Sequence, residues 1–172
     1  MKPTLPRLKI LLLMLLFTPL TASTADDHVQ SSLPEVTVEE ASDLMSDGAT
    51  AKQEREVIMV LVSQEHCPFC EDIKQDVIRP MIRGEDFKGN LMIRELSIDG
   101  GVEVKDFSGV VRSGRDLAAD YNAHFTPTLL FLSPNGHALN KSIIGYTTPA
   151  FFYYYVEEAI KNSIISLNSS GK

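Results

Sequence analysis

The chain has 172 residues, 44% of them apolar and 23% charged, and carries a formal charge of −7. That balance belongs to a globular protein and excludes a disordered one, and the length suits one domain with a core of its own. The acidic surplus argues against nucleic acid or anionic lipid headgroups as partners.

The first stretch, MKPTLPRLKILLLMLLFTPLTASTA, has a basic start (Lys2, Arg7, Lys9), an apolar run from Leu8 to Phe17 and then small residues. Ser23 and Ala25 fit a cleavage site, so residues 1–25 read as a signal peptide cut after Ala25. The run is shorter than the ~20 residues needed to cross a bilayer, and no stable membrane insertion is expected after cleavage. Removing the stretch takes away three positive charges and no negative ones, moving the formal charge from −7 to −10. The expected location is periplasmic or otherwise exported, where disulfides are tolerated.

Residues 26–34 read as a flexible polar lead, 35–164 as the folded domain and 165–172 as a disordered tail. Within the domain, TVEEASDLMSDGATAKQE reads as a helix from Thr37. Thr37 and Glu40 match a capping box, with Val38, Ala41, Leu44 and Met45 as its apolar stripe. VIMVLVS (57–63) is a continuous apolar, β-branched run, the mark of a strand buried on both faces. EHCPFCEDI follows at once and opens a helix running to about Ile78 or Met81, disturbed near Pro80. NLMIRELSID (90–99) is a second strand, followed by a Gly-rich, hairpin-like insertion at 100–112. Ser113 caps a short helix, GRDLAADYNA. TPTLLFL is a third strand, SPNG (133–136) a turn and HALNKSIIG the return strand. The last helix starts near Thr148 with Pro149 at its first position. This order predicts an α/β sandwich with a central mixed sheet, the 57–63 strand at its centre and the site at that strand's C-terminal end.

The only two cysteines, Cys67 and Cys70, lie at that end. At the mouth of a helix, unpaired N–H groups and the helix dipole favour an anion. Such positions lower a cysteine pKa from about 8.5 into the range of roughly 3.5–7.5. Cys67 is therefore the attacking sulfur. Cys70, one turn on and on the same face, is the resolving one. Pro68 suits a first helical turn. Two other readings compete. A purely structural bridge over so short a loop would stabilise by about 2 kcal/mol. A zinc or copper site would need further ligands, which only His66 and the distant His124 could supply. His66 either tunes the thiolate or is a solvated loop residue. Glu65 either accepts the Cys70 proton or is an exposed loop glutamate. Phe69 should face outward beside the sulfurs as an apolar contact for partners. Thr126-Pro127, read alone, would be trans, because only about 5–6% of X-Pro bonds are cis.

From Val57 to Ile160 the sequence resembles the thioredoxin superfamily. The marks are VIMVLVSQEHCPFC, LSID, LAADYNAHFTPTLLFLSPNG and IIGYTTPAFFYYYVEEAI. Within it, the combination C-P-x-C, T-P-T and G-Y-x-x-P is most similar to exported thioredoxin-like proteins of SoxW type. The resemblance implies a thioredoxin-like three-layer sandwich and a thiol-disulfide oxidoreductase acting on protein disulfides. It implies no cofactor beyond the Cys67–Cys70 pair, and an electron donor of the CcdA or DsbD membrane thiol kind. It further implies that Pro127 is cis beside the cysteines, that Thr126 offers its backbone to a substrate strand, and that Gly145 is a close-approach glycine. Two features depart from cytoplasmic thioredoxins. Leu61 stands where they carry a buried aspartate, leaving water, Glu65 or another group to move the Cys70 proton. Pro-Phe stands where they carry Gly-Pro, nearer the glutaredoxin-like and oxidase-like pattern, whereas threonine before the proline resembles reducing and isomerising members more than strong oxidants. The expected direction is reduction, with disulfide formation or isomerisation as the alternative. Isomerases of the superfamily usually add an N-terminal dimerisation domain, and residues 26–56 are few for one.

Overall fold

The computed structural model describes residues 36–170. The expected signal peptide (1–25) and the whole of the expected lead (26–34) lie outside the described residues. The elements are α1 (Leu44–Glu54), β1 (Val57–Ser63), α2 (Pro68–Ile73), a π-helical turn (Lys74–Ile78) and α3 (Arg79–Gly84). They continue with β2 (Leu91–Ser97), β3 (Glu103–Lys105), β4 (Val111–Ser113), α4 (Gly114–Asp120), β5 (Thr128–Leu132), β6 (Ile143–Ile144) and α5 (Pro149–Ser170).

β1 is buried at every residue because helices cover both faces of the sheet. Strand alternation sends Val57, Met59 and Leu61 into one core, with Ile73, Val77, Phe131, Phe152 and Ile160. Ile58, Val60 and Val62 point the opposite way, toward Leu44, Ala51, Leu96, Leu117 and Leu130. The main sheet runs β2-β1-β5-β6, with β1 parallel to β2 and antiparallel to β5. This is the mixed α/β sandwich that the element order predicts. The 100–112 insertion forms a separate two-stranded hairpin, β3 with β4.

Four local expectations need correction. The first helix begins at Leu44, not Thr37, with Asp43 as the cap accepting the Ser46 N–H at 2.9 Å. Residues before it run instead along the edge of β2: Glu95 N–H donates to Glu39 O and Ala41 N–H to Glu95 O, both at 2.8 Å. An open sheet edge leaves backbone groups unpaired, and pairing there outweighs a local capping box. The helix after the cysteines continues to Gly84. Pro80 lacks an N–H and crowds the carbonyl one turn back; the wider π turn just before it gives that carbonyl room. The return strand shrinks to Ile143–Ile144 plus a bridge at Ala138. Asn140 interrupts it by donating to Ala159 O at 3.2 Å. The tail expected to be disordered from 165 is helical through Ser170, because Ile164 and Leu167 pack on the core.

Candidate active site

β1 delivers the cysteine motif to the C-terminal edge of the sheet. Its last carbonyl, Ser63 O, accepts the Ile98 N–H at 2.9 Å, so β2 ends beside it. Asp99, just past β2, then holds the loop. Its carboxylate accepts the Glu65 N–H at 2.5 Å and the Ser97 hydroxyl at 3.1 Å. Fixed there, the chain passes through His66 at φ +55° and turns into the helix.

Cys67 is the N-cap of α2. The Cys70 N–H reaches Cys67 Sγ at 3.2 Å and Cys67 O at 3.0 Å, while Glu71 N–H donates to Cys67 O at 3.2 Å. Pro68 takes the first helical position. The two sulfurs are joined as a disulfide, with Cα atoms 5.2 Å apart. Cys67 is half-buried and Cys70 only 2% exposed. The pair is thus asymmetric: one sulfur at the surface under a backbone donor, the other inside.

The β1–β5 register pairs Val62 with Thr128, which carries Pro127 and Thr126 to the edge where β1 runs into the cysteine loop. The Thr126–Pro127 bond is cis, Pro127 is buried and Thr126 half-buried. Pro127 O accepts the Gly145 N–H at 2.8 Å, and Thr128 Oγ1 donates to Phe125 O at 2.7 Å, locking the segment on both sides. Gly145 sits at φ +77° with no atom within 4 Å of where a Cβ would stand. Its backbone, rather than crowding within this chain, requires glycine.

Of the flanking residues, Glu65 and His66 are exposed and Phe69 is 58% exposed. Glu65 contributes its backbone N–H to the loop, not its carboxylate. Phe125 (70% exposed) and Ile144 belong to the same edge; sequence reading passed over both, although Phe125 directly precedes the Thr-Pro pair. His124, in the loop before β5, is exposed. Among the described residues, no group of three or more His, Cys, Asp or Glu side chains could hold a metal ion. No described helix is long and apolar enough to cross a membrane.

A cleft of about 820 Å³ opens on the other side of the cysteines, lined by Cys67, Cys70, Lys74, Glu71, Glu95 and Asp99 among others. Lys74 Nζ bridges Glu71 and Glu95, each at 3.2 Å, and Arg79 holds Glu71 at 2.9 Å. Burial works against the Lys74 charge, but Glu95 and Glu71 outweigh it and its pKa is raised. Burial likewise works against the Glu71 charge, and Lys74 and Arg79 overcome it, lowering that carboxyl's pKa. Sequence reading missed this group, because nothing in a strand pattern says which helix residue a lone strand carboxylate will meet.

The family model for the thioredoxin-like domain matches residues 44–160. No curated protein matches the chain significantly. Among solved structures, Fasciola hepatica thioredoxin is 12% identical over 73% of this chain and 99% of its own, with a TM-score of 0.47. Mitochondrial thioredoxin 3 from Saccharomyces cerevisiae is 15% identical over 73% of this chain and 94% of its own, at 0.45. The periplasmic thioredoxin SoxS from Paracoccus pantotrophus is 18% identical over 63% of this chain and 99% of its own, at 0.41. With a family match over most of the described residues and a CxxC disulfide capping the helix after the central strand, the chain belongs to the thioredoxin-like domain family and is a thiol-disulfide oxidoreductase.

Proposed function

We propose that this protein is an exported reductant of protein disulfides, of the SoxW-type kind, working through Cys67 and Cys70. The observation that carries the reading is the asymmetry of the pair: a half-buried Cys67 sulfur receiving the Cys70 N–H, and a Cys70 sulfur kept from solvent. In the reduced enzyme the same donor and the helix start favour the Cys67 thiolate. That thiolate attacks one sulfur of a substrate disulfide, and the departing substrate sulfur takes the electron pair and a proton. Cys70, deprotonated, then attacks Cys67 Sγ. The second substrate sulfur leaves as a thiol, and the Cys67–Cys70 disulfide closes. Two electrons move from the enzyme to the substrate, and the pair needs no other cofactor. Thr126 and Pro127 line the edge along which an extended substrate segment lies, with Phe69 as an apolar contact. A membrane thiol carrier of the CcdA or DsbD kind restores the dithiol. The leader-like N-terminus supports export, and threonine before Pro127 supports reduction.

Cys70→Ser, incubated with exported extracts, traps covalent adducts that dithiothreitol releases, while Cys67→Ser traps none. The reduction potential sets the direction. A value more negative than about −200 mV fits a reductant, whereas one near the −120 mV of a strong oxidant overturns this reading in favour of disulfide formation.

A further inference from the structure

Resolution requires the Cys70 thiol to lose a proton, yet Cys70 is 2% exposed and lies beside a sheet with almost no acid in it. β1, β5 and β6 carry no carboxylate, and β2 carries one, Glu95. Glu95 is the register partner of Leu61 across the parallel β1–β2 pair. Parallel partners project from the same face. Leu61 packs against Ile73 and Val77 of the helical rod that begins at Cys67, so Glu95 projects toward that rod too. There its carboxylate meets Lys74 at 3.2 Å. Lys74 is one turn beyond Cys70 on the same helical face. Backbone bonds to Glu39 and Ala41 pin the Glu95 main chain, and its side chain is 18% exposed. Glu95, Lys74 and Cys70 all line the 820 Å³ cleft, which has ample room for water.

We infer that Glu95, held by Lys74, is the group that takes the Cys70 proton, through water in the cleft, when the mixed disulfide is resolved. This rests on the dithiol mechanism proposed above. The carboxylate accepts H⁺ from the Cys70 thiol, and the resulting thiolate forms the bond to Cys67 Sγ. The Cys67–substrate S–S bond breaks, and the departing thiolate takes a proton back from Glu95 or water. No outside oxidant or reductant enters. Lys74 holds the Glu95 carboxylate in place at 3.2 Å between turnovers. The other charges facing the cleft are less suited. Glu71 is 51% exposed and tied to Arg79 as well as Lys74, and Glu40, Glu65, His66 and Glu103 are exposed. The Asp99 carboxylate is engaged by the Glu65 N–H and Ser97.

The test separates the two thiol steps. The reduced protein is mixed with an equimolar amount of 5,5′-dithiobis(2-nitrobenzoate) in a stopped-flow instrument. The first release of thionitrobenzoate reports attack by Cys67, and the second, first-order release reports closure by Cys70. In Glu95→Gln the second phase should slow about tenfold at pH 7 while the first stays within about twofold. That falls short of the ~100-fold of full general-base catalysis, because a thiol also ionises to solvent. The loss should recover as pH rises, and Glu95→Asp should restore part of it. Lys74→Met, which keeps the carboxylate but removes the group that holds it in the cleft, should also slow the second phase, by about threefold, and leave the first within about twofold. An unchanged second phase in Glu95→Gln or in Lys74→Met, or an equal loss in Glu65→Gln, would each overturn the assignment. Absence of the first phase in the unaltered protein would instead overturn the dithiol mechanism itself.

Discussion

Asp106 shows how one side chain can hold a whole connection. Its Oδ1 accepts the Ser108 hydroxyl at 2.7 Å, the Ser108 N–H at 2.9 Å and the Val110 N–H at 3.0 Å, building the turn between β3 and β4. The Ser108 hydroxyl bond is the largest cause of a lowered Asp106 pKa, and the two backbone donors lower it further. A carboxyl whose folded pKa lies below its unfolded value of about 3.9 stabilises the fold above that value. The contribution disappears as pH falls through the folded pKa. Urea unfolding should therefore show the protein weakening between pH 5 and pH 2.5, and Asp106→Ala should lower stability at pH 7 while flattening that slope. Tyr146 illustrates the opposite sign: its hydroxyl donates to Asp76 at 2.7 Å, which holds the proton on and pushes the phenol up to about 12. It joins the loop before α5 to the π turn after the cysteines, two segments that the sequence gives no reason to connect.

Between elements, close approach decides more than propensity. Gly48 lies in the middle of α1, where alanine would ordinarily gain about 1 kcal/mol. A Cβ at Gly48 would stand 2.3 Å from the Pro134 carbonyl oxygen, which belongs to the turn after β5 and is backbone that cannot rotate aside. Overpacking of this kind costs roughly 1–3 kcal/mol. The clash should win, so Gly48→Ala is expected to lower the thermal midpoint rather than raise it. A midpoint that rises would mean that α1 can shift away from the turn. The same turn carries Gly136 at φ +79°, with Gly136 N–H donating to Ser133 O at 2.9 Å. SPNG was legible as a turn from its residues alone, but its role as the seat of α1 was not.

For the molecule as a whole, the disulfide bears on stability as well as chemistry. The proposed reducing role requires the disulfide form to be the favoured state, so under that proposal the oxidised protein should resist urea better than the reduced one. Closing so small a loop accounts for about 2 kcal/mol of that difference. Reversal of the order, with the dithiol form the more stable, would mark an oxidant instead. The two cores on either side of β1 brace the site. Phe152, Val156 and Ile160 of α5 pack on the same face as Ile73 and Val77, so the cysteine helix is held from beneath along its length.

The sequence by itself determined the elements whose signal is local. The apolar, β-branched run at 57–63 reads as a buried strand, the cysteine pair just after it reads as the opening of a helix, and Ser113 and Pro149 mark helix starts. The two sulfurs come from the same local reading, and the resemblance to the family from the motifs around them, VIMVLVSQEHCPFC and HFTPTLLF among them. Tertiary structure alone decided what depends on partners distant in the chain. The edge of β2 drew residues 39–41 out of the helix their capping pattern suggested. Packing of Ile164 and Leu167 kept α5 helical to Ser170. Glu95 met Lys74 only because β2 lies beside β1 and under the cysteine helix. Local patterns fix backbone choices over a few residues, whereas burial and ion pairing reward contacts that no short window contains.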